Sequence, residues 1–109
     1  MIDKNVPLTE VVFYILLALR HPNHGYGIIQ EVEHMTDNRV TLGAGTLYGA
    51  IQTLEKKQWI RIYHVDKESR RKKEYLITPL GRAVFEEERL RLSELLKNGK
   101  LIEEVQAYD

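Results

Sequence analysis

Cysteine is absent from this 109-residue chain. That rules out a disulfide framework and any thiol chemistry, and it suits a reducing compartment. Serine is scarce: Ser69 and Ser93 are the only two, and neither lies in the setting of a nucleophile elbow. There is no glycine-rich phosphate loop. The apolar run VVFYILLAL, from Val11 to Leu19, is too short to span a bilayer. Asp3 and Glu10 around it take the place of the basic flank of a secretory signal. A net charge is missing too, since 16 basic residues balance 16 acidic ones. These absences predict a cytoplasmic protein that is not an enzyme and holds no cofactor. His21 and His24 in HPNH have a spacing that could grip a metal, but His34 and His64 fall on separate elements and carboxylates nearby are sparse. No metal site is expected, and the pair is read as solvated turn histidines.

A hydrophobic content of 43% predicts one small folded domain with a modest core. Its charge is unevenly spread. Residues 56–73 hold eight basic side chains against Asp66 and Glu68, a net of +6, whereas the chain from residue 79 onward is net −2. A basic centre predicts an anionic partner met by one region.

The periodicity predicts a helix over Thr9 to Arg20, capped by Thr9, and HPNHG then reads as a turn. A second helix is expected from Gly25 to Asp37 and a third over residues 44–57. WIRIYHVD and KEYLIT read as the two strands of a hairpin whose tip is DKESRRK. Thr78-Pro79 supplies a cap and a first-turn proline for a long helix that runs to Lys97, pauses at Asn98-Gly99 and continues through Val105. Three helices, a hairpin and a long helix make a mainly α winged helix-turn-helix with a small β-hairpin. Residues 1–78 would form the DNA-binding domain and 79–109 the C-terminal dimerisation helix, joined in one compact unit.

The third helix then poses a question. In GAGTLYGAIQTLEKKQ, three glycines (Gly43, Gly45, Gly49) lighten its start, and Tyr48 stands beside an apolar stripe of Leu47, Ile51 and Leu54. Glycine weakens a helix unless something outside comes close. A DNA groove would do so. Tyr48 offers a hydroxyl to a phosphate, Gln52 suits an adenine edge, and Thr46 and Lys56 share the outer faces. The hairpin tip would project Lys67, Arg70, Arg71, Lys72 and Lys73 along the phosphate backbone. The competing reading is a winged helix turned to protein contacts, its basic region meeting an acidic protein without any operator.

Three stretches point to a family: HGYGIIQEVE, GTLYGAIQTLEKKQWI and RRKKEYLITPLGR. Together they resemble the PadR-like transcriptional regulators along nearly the full chain, in the branch with a single short C-terminal helix. The resemblance implies a dimeric winged-helix repressor, with Tyr26, Thr46, Leu47 and Tyr48 near double-stranded DNA and Arg70, Arg71 and Lys72 in the wing. Some members respond to phenolic acids or lipophilic drugs, which implies a small aromatic or lipophilic effector. The chain departs from the family pattern in Gly49, where proline is common, in Gln58, where glycine is typical, and in Trp59, which is expected to pack as core under the wing. It also lacks the C-terminal-helix tryptophan with which some members stack flat drugs.

Along the last helix Phe85, Leu92, Leu95 and Ile102 recur at heptad-like spacing, with Glu88 filling one slot. Val84, Leu96 and Leu101 make a second line. One line can seat on its own domain and the other calls for a second copy, so a homodimer is expected on a palindromic operator. Phe13, Leu17, Phe85, Leu92 and Leu96 are the candidate lining of an effector site between dimer helices; Leu95 and Ile102 join them as interface candidates.

Overall fold

The computed structural model describes residues 5–68, 72–104 and 108. In order, the elements are α1 (Glu10–Ala18), β1 (Asn23–His24), α2 (Gly25–Met35), α3 (Ala44–Lys56), β2 (Ile60–Val65), β3 (Lys73–Ile77) and α4 (Pro79–Gly99). A 3-10 turn over Lys100–Glu104 follows α4. The mainly helical winged-helix architecture expected from the sequence is present.

Local chemistry sets the helix starts. Thr9 accepts the Val12 N–H at 3.2 Å and opens α1. Thr78 does the same for α4, accepting from Gly81 N–H at 3.0 Å, and its hydroxyl also donates to the Gln58 carbonyl at 2.6 Å. These side chains satisfy backbone donors that have no partner within their own helix. At its C-terminus α3 closes with paired bonds, Gln58 N–H to Glu55 O and Trp59 N–H to Leu54 O. This Schellman closure needs a left-handed residue, and Gln58 adopts it with φ 62°.

The apolar stripes meet in one core, built from Ile15, Leu16 and Leu19 of α1, Ile28 and Val32 of α2, and Leu47, Ile51 and Leu54 of α3. Trp59 is buried with them, as expected. Val84 brings α4 onto this core. Gly81 lets the first turn of α4 approach the wing closely, because a Cβ there would stand 2.1 Å from the Trp59 carbonyl oxygen. That contact fixes α4 against the base of β2.

Three features differ from the sequence expectation. The sheet has three strands in the order β1-β3-β2, not two. Asn23 pairs with Tyr75 and His24 with Glu74, so two of the five residues of the expected turn form an edge strand. Two residues of turn composition carry no strand signal of their own; only pairing with β3 makes them one. Next, α4 runs unbroken through Asn98 and Gly99 before tightening into the 3-10 turn, and Val105 lies outside the described residues. Finally, Glu88 does not merely interrupt a stripe. It is 2% exposed and accepts the Leu8 N–H at 2.7 Å while Arg91 donates to both of its oxygens, at 2.5 and 3.2 Å. The carboxylate thus clips the segment before α1 onto α4. The Arg91 bonds, opposed by burial and aided by the Leu8 N–H, hold its pKa below the ordinary value.

Beyond Arg91 the long helix leaves the body of the domain. Leu92, Leu95, Leu96, Leu101 and Ile102 are all exposed, Leu96 to 78%. Among the described residues no helix is long and apolar enough to cross a membrane.

Candidate nucleic-acid interface

Helix α3 presents two unlike faces. Leu47 is fully buried among core side chains, so it cannot meet a ligand from outside; its assignment near DNA is corrected to a core role. Its position in the apolar stripe already requires this, since a residue four before Ile51 shares its face. Thr46, Gln52 and Lys56 are exposed. Gly45 and Gly49 look onto open space, for a Cβ at either would find nothing within 4 Å. The start of α3 is therefore a smooth surface that a partner can approach.

Tyr48 lies across the N-terminus of α2. A Cβ on Gly25 would stand 2.4 Å from its hydroxyl oxygen and 2.9 Å from Cζ, so Gly25 is the space the ring occupies. Tyr48 remains 47% exposed. Next to it Tyr26, the second residue of α2, projects into solvent. The corner that holds these rings is built from polar contacts. His24 Nδ1 accepts the Gly27 N–H at 3.2 Å and caps α2. Asn23 accepts the His24 N–H at 3.0 Å and donates to Glu31 at 3.0 Å, and Arg20 pairs with Glu31 at 2.8 Å. His24 is thus a half-buried cap, correcting its reading as a solvated turn residue. Among the described residues no group of three or more metal-ligating side chains forms.

The wing reaches the same corner. Tyr48, Tyr26 and Gly25 share a cleft of about 210 Å³ with His24, Lys72, Lys73 and Tyr75. The glycine-lightened helix and the cationic hairpin therefore lie on one side of the fold. Lys67 is exposed on the hairpin, outside the cleft lining. Arg70 and Arg71 lie outside the described residues. Sequence reasoning assigned Tyr26, Tyr48, Lys72 and Lys73 to the DNA face, read His24 as a turn residue and gave Tyr75 no site role. Tyr75 stood in the Lys-x-Tyr stretch with no sign of which face of the strand it would take.

The α1/α4 candidates lie elsewhere. Phe13 and Phe85 stack with centroids 4.6 Å apart. A cleft of about 330 Å³ lies against Phe13, Leu92 and the Glu88–Arg91 pair, and a second of about 260 Å³ against Leu17, Phe85, Arg20 and Arg82. Leu95, Leu96 and Ile102 line neither and are exposed.

A helix packed behind an exposed second helix, followed by a hairpin whose basic residues meet that helix's face, defines a DNA-binding winged helix-turn-helix. Residues 14–87 match the sequence profile of the transcriptional regulator PadR-like family, and the chain belongs to that family. It is a transcriptional regulator, with the DNA binding this implies, and not an enzyme. Uncharacterized protein X of Lysinibacillus sphaericus is 37% identical over 90 residues, which cover 82% of this chain and 76% of that one. A PadR family regulator of Eggerthella lenta superposes with a TM-score of 0.71 at 28% identity, covering 85% of this chain and 81% of that one. BpsR of Bordetella bronchiseptica, whose DNA binding is regulated by 6-hydroxynicotinic acid, shares the fold with a TM-score of 0.67 at 23% identity, over 90% of this chain and 71% of its own.

Proposed function

We propose that the protein is a ligand-responsive repressor that binds a palindromic operator as a homodimer. One observation carries the DNA face: Tyr26, Tyr48, Lys72 and Lys73 surround a single cleft lined, among the described residues, by no carboxylate. Exposed Gln52 and Thr46 then read base edges, Lys56 and Lys67 hold phosphates, and Arg70 and Arg71 extend the wing's cationic run. The apolar end of α4 and the 3-10 turn after it support the dimer, because Leu92, Leu95, Leu96, Leu101 and Ile102 form a surface that water disfavours and a second copy can cover. Two recognition helices would then meet half-sites about 34–36 Å apart.

The clefts on Phe13 and Phe85 support an effector site for a small aromatic or lipophilic molecule. Both abut α4, so a ligand that moves this helix changes the half-site spacing. Selection of bound duplexes from a random pool tests the operator reading. A palindrome with half-sites one helical turn apart is expected; no enriched sequence, or a monomer by mass at micromolar protein, refutes it. Against a protein-contact module, Tyr48→Ala with Gln52→Ala should abolish operator preference over random duplex.

A further inference from the structure

Glu88 marks the point where α4 parts from the domain. Gly81, Val84 and Glu88 are its buried residues, Arg91 is half-buried, and every residue from Leu92 to Gly99 is exposed. The angle at which the helix leaves the body is therefore set at Glu88. A carboxylate is a costly choice for such a place, because an apolar side chain of similar size would seal it without a desolvation penalty. Here the carboxylate holds a backbone donor from the other end of the chain. The Leu8 N–H stands 2.7 Å from its Oε2, and Arg91 donates to both of its oxygens.

Leu8 in turn faces the recognition helix. Its side chain packs against the core, and it belongs to two clefts. One is the cleft of about 330 Å³ that it lines with Phe13, Glu88 and Leu92. The other, of about 260 Å³, is lined by Pro7 and Leu8 together with Ala50, Thr53 and Leu54 of α3. The segment ahead of α1 thus stands between the root of the projecting helix and the C-terminal half of α3. From Glu88 to Gly99 α4 extends about 17 Å, so a tilt of about 10° at Glu88 moves its far end by about 3 Å relative to the domain. That is close to the ~3.4 Å rise of one base pair.

We propose that Glu88 is a positioning residue for DNA binding: by holding Leu8 it fixes the angle between α3 and the projecting end of α4, and so sets the half-site spacing that the dimer accepts. The assignment rests on the homodimeric operator reading and adds to it a residue that acts without touching DNA.

Duplexes carrying the selected half-sites at the selected spacing, at one base pair more and at one base pair less are compared with a duplex carrying a single half-site. Binding of wild type, Glu88→Leu, Glu88→Gln and Leu8→Ala is measured by fluorescence anisotropy at fixed salt, with sedimentation and thermal melts alongside. Wild type should prefer the selected spacing by about tenfold or more, because any other must be met by twisting or bending the DNA. Glu88→Leu is similar in size but offers the Leu8 N–H no acceptor. It should stay dimeric, lose about tenfold at the selected spacing, bind all three spacings within about twofold of one another, and leave single half-site binding unchanged. Glu88→Gln keeps an uncharged acceptor for Leu8 and should retain most of the spacing preference despite its lower stability. Leu8→Ala removes the side chain that faces α3 and should broaden the spacing as Glu88→Leu does; it decides the matter should Glu88→Leu not fold. A purely structural role would instead weaken binding on every duplex, half-site included, in order of lost stability, and that pattern overturns the proposal. So does an unaltered spacing profile in Glu88→Leu or Leu8→Ala. If wild type binds the operator but accepts all spacings equally, the angle is not fixed and the proposal falls while the DNA-binding reading stands. If wild type is a monomer or prefers no duplex, the operator reading falls and takes the proposal with it.

Discussion

Substituting alanine for Gly25 separates the DNA face from the stability of the fold. The new Cβ would lie 2.4 Å from the Tyr48 hydroxyl oxygen, 2.9 Å from Cζ and 3.3 Å from Cε1. Comfortable non-bonded separations are about 3.5–4.0 Å, so the ring must retreat by roughly 1 Å. It can do so, because the obstructed atoms are the far end of a side chain that is half in solvent. The backbone raises no objection, as Gly25 does not have a positive φ. Alanine in a helix even recovers about 0.5–1 kcal/mol relative to glycine. Displacing Tyr48 offsets a similar amount of packing, which leaves the melting temperature within about 4–8 °C of wild type. DNA binding should respond quite differently. If the Tyr48 hydroxyl holds a phosphate, its retreat loses about 1.5–3 kcal/mol at each of the two half-sites, or roughly a hundredfold to ten-thousandfold in the dimer's operator affinity. Anisotropy titrations of a labelled operator at fixed salt, paired with circular dichroism melts, read both quantities. Tyr48→Phe should reproduce the loss without moving the ring. If Gly25→Ala binds the operator within about twofold of wild type, Tyr48 does not touch DNA from this position and the reasoning fails.

Other substitutions address the scaffold. Gln58→Gly should stabilise the protein by about 1 kcal/mol, read from chemical denaturation, because Gln58 bears a left-handed φ of 62° at the close of α3 where glycine is unstrained. Glu88→Gln should destabilise it by about 1–3 kcal/mol at neutral pH, since the neutral amide gives up the charge-assisted bonds from Arg91 and Leu8. The folded-state pKa of Glu88 is depressed, so its contribution is fully present above the unfolded value near 4.5 and vanishes as the pH falls through the folded one. Wild type and Glu88→Gln should therefore converge in stability under acid, which melts across a pH series would show. Charging the exposed end of α4 with Leu92→Asp and Leu96→Asp should yield monomers in sedimentation at micromolar protein with a monomer core unharmed, and operator affinity should drop along with the dimer.

The elements themselves were legible in the chain. Apolar residues at helical spacing, the Thr9 and Thr78 caps, Pro79 and the alternation in KEYLI are local signals, and local signals suffice for α1 to α4, β2 and β3. The basic run and the glycines of α3 likewise announced an anionic partner before any geometry was known. What folding alone decided was proximity. Asn23 and His24 become a strand only because β3 lies alongside, and His24 becomes a cap only because that strand turns into α2. Leu47 belongs to a stretch tied to DNA by resemblance, yet its side chain faces inward because Ile51 and Leu54 share its stripe. Glu88 looked like a break in a heptad until the chain before α1 came back to meet it across 80 residues. Tyr75, finally, is one strand residue among others in the sequence; its burial and its place beside Tyr48 and Lys73 exist only when α2, α3 and the wing close around one cleft. Periodicity along a chain specifies which face a side chain takes on its own element, whereas the neighbours of that face are set by packing between elements far apart in sequence.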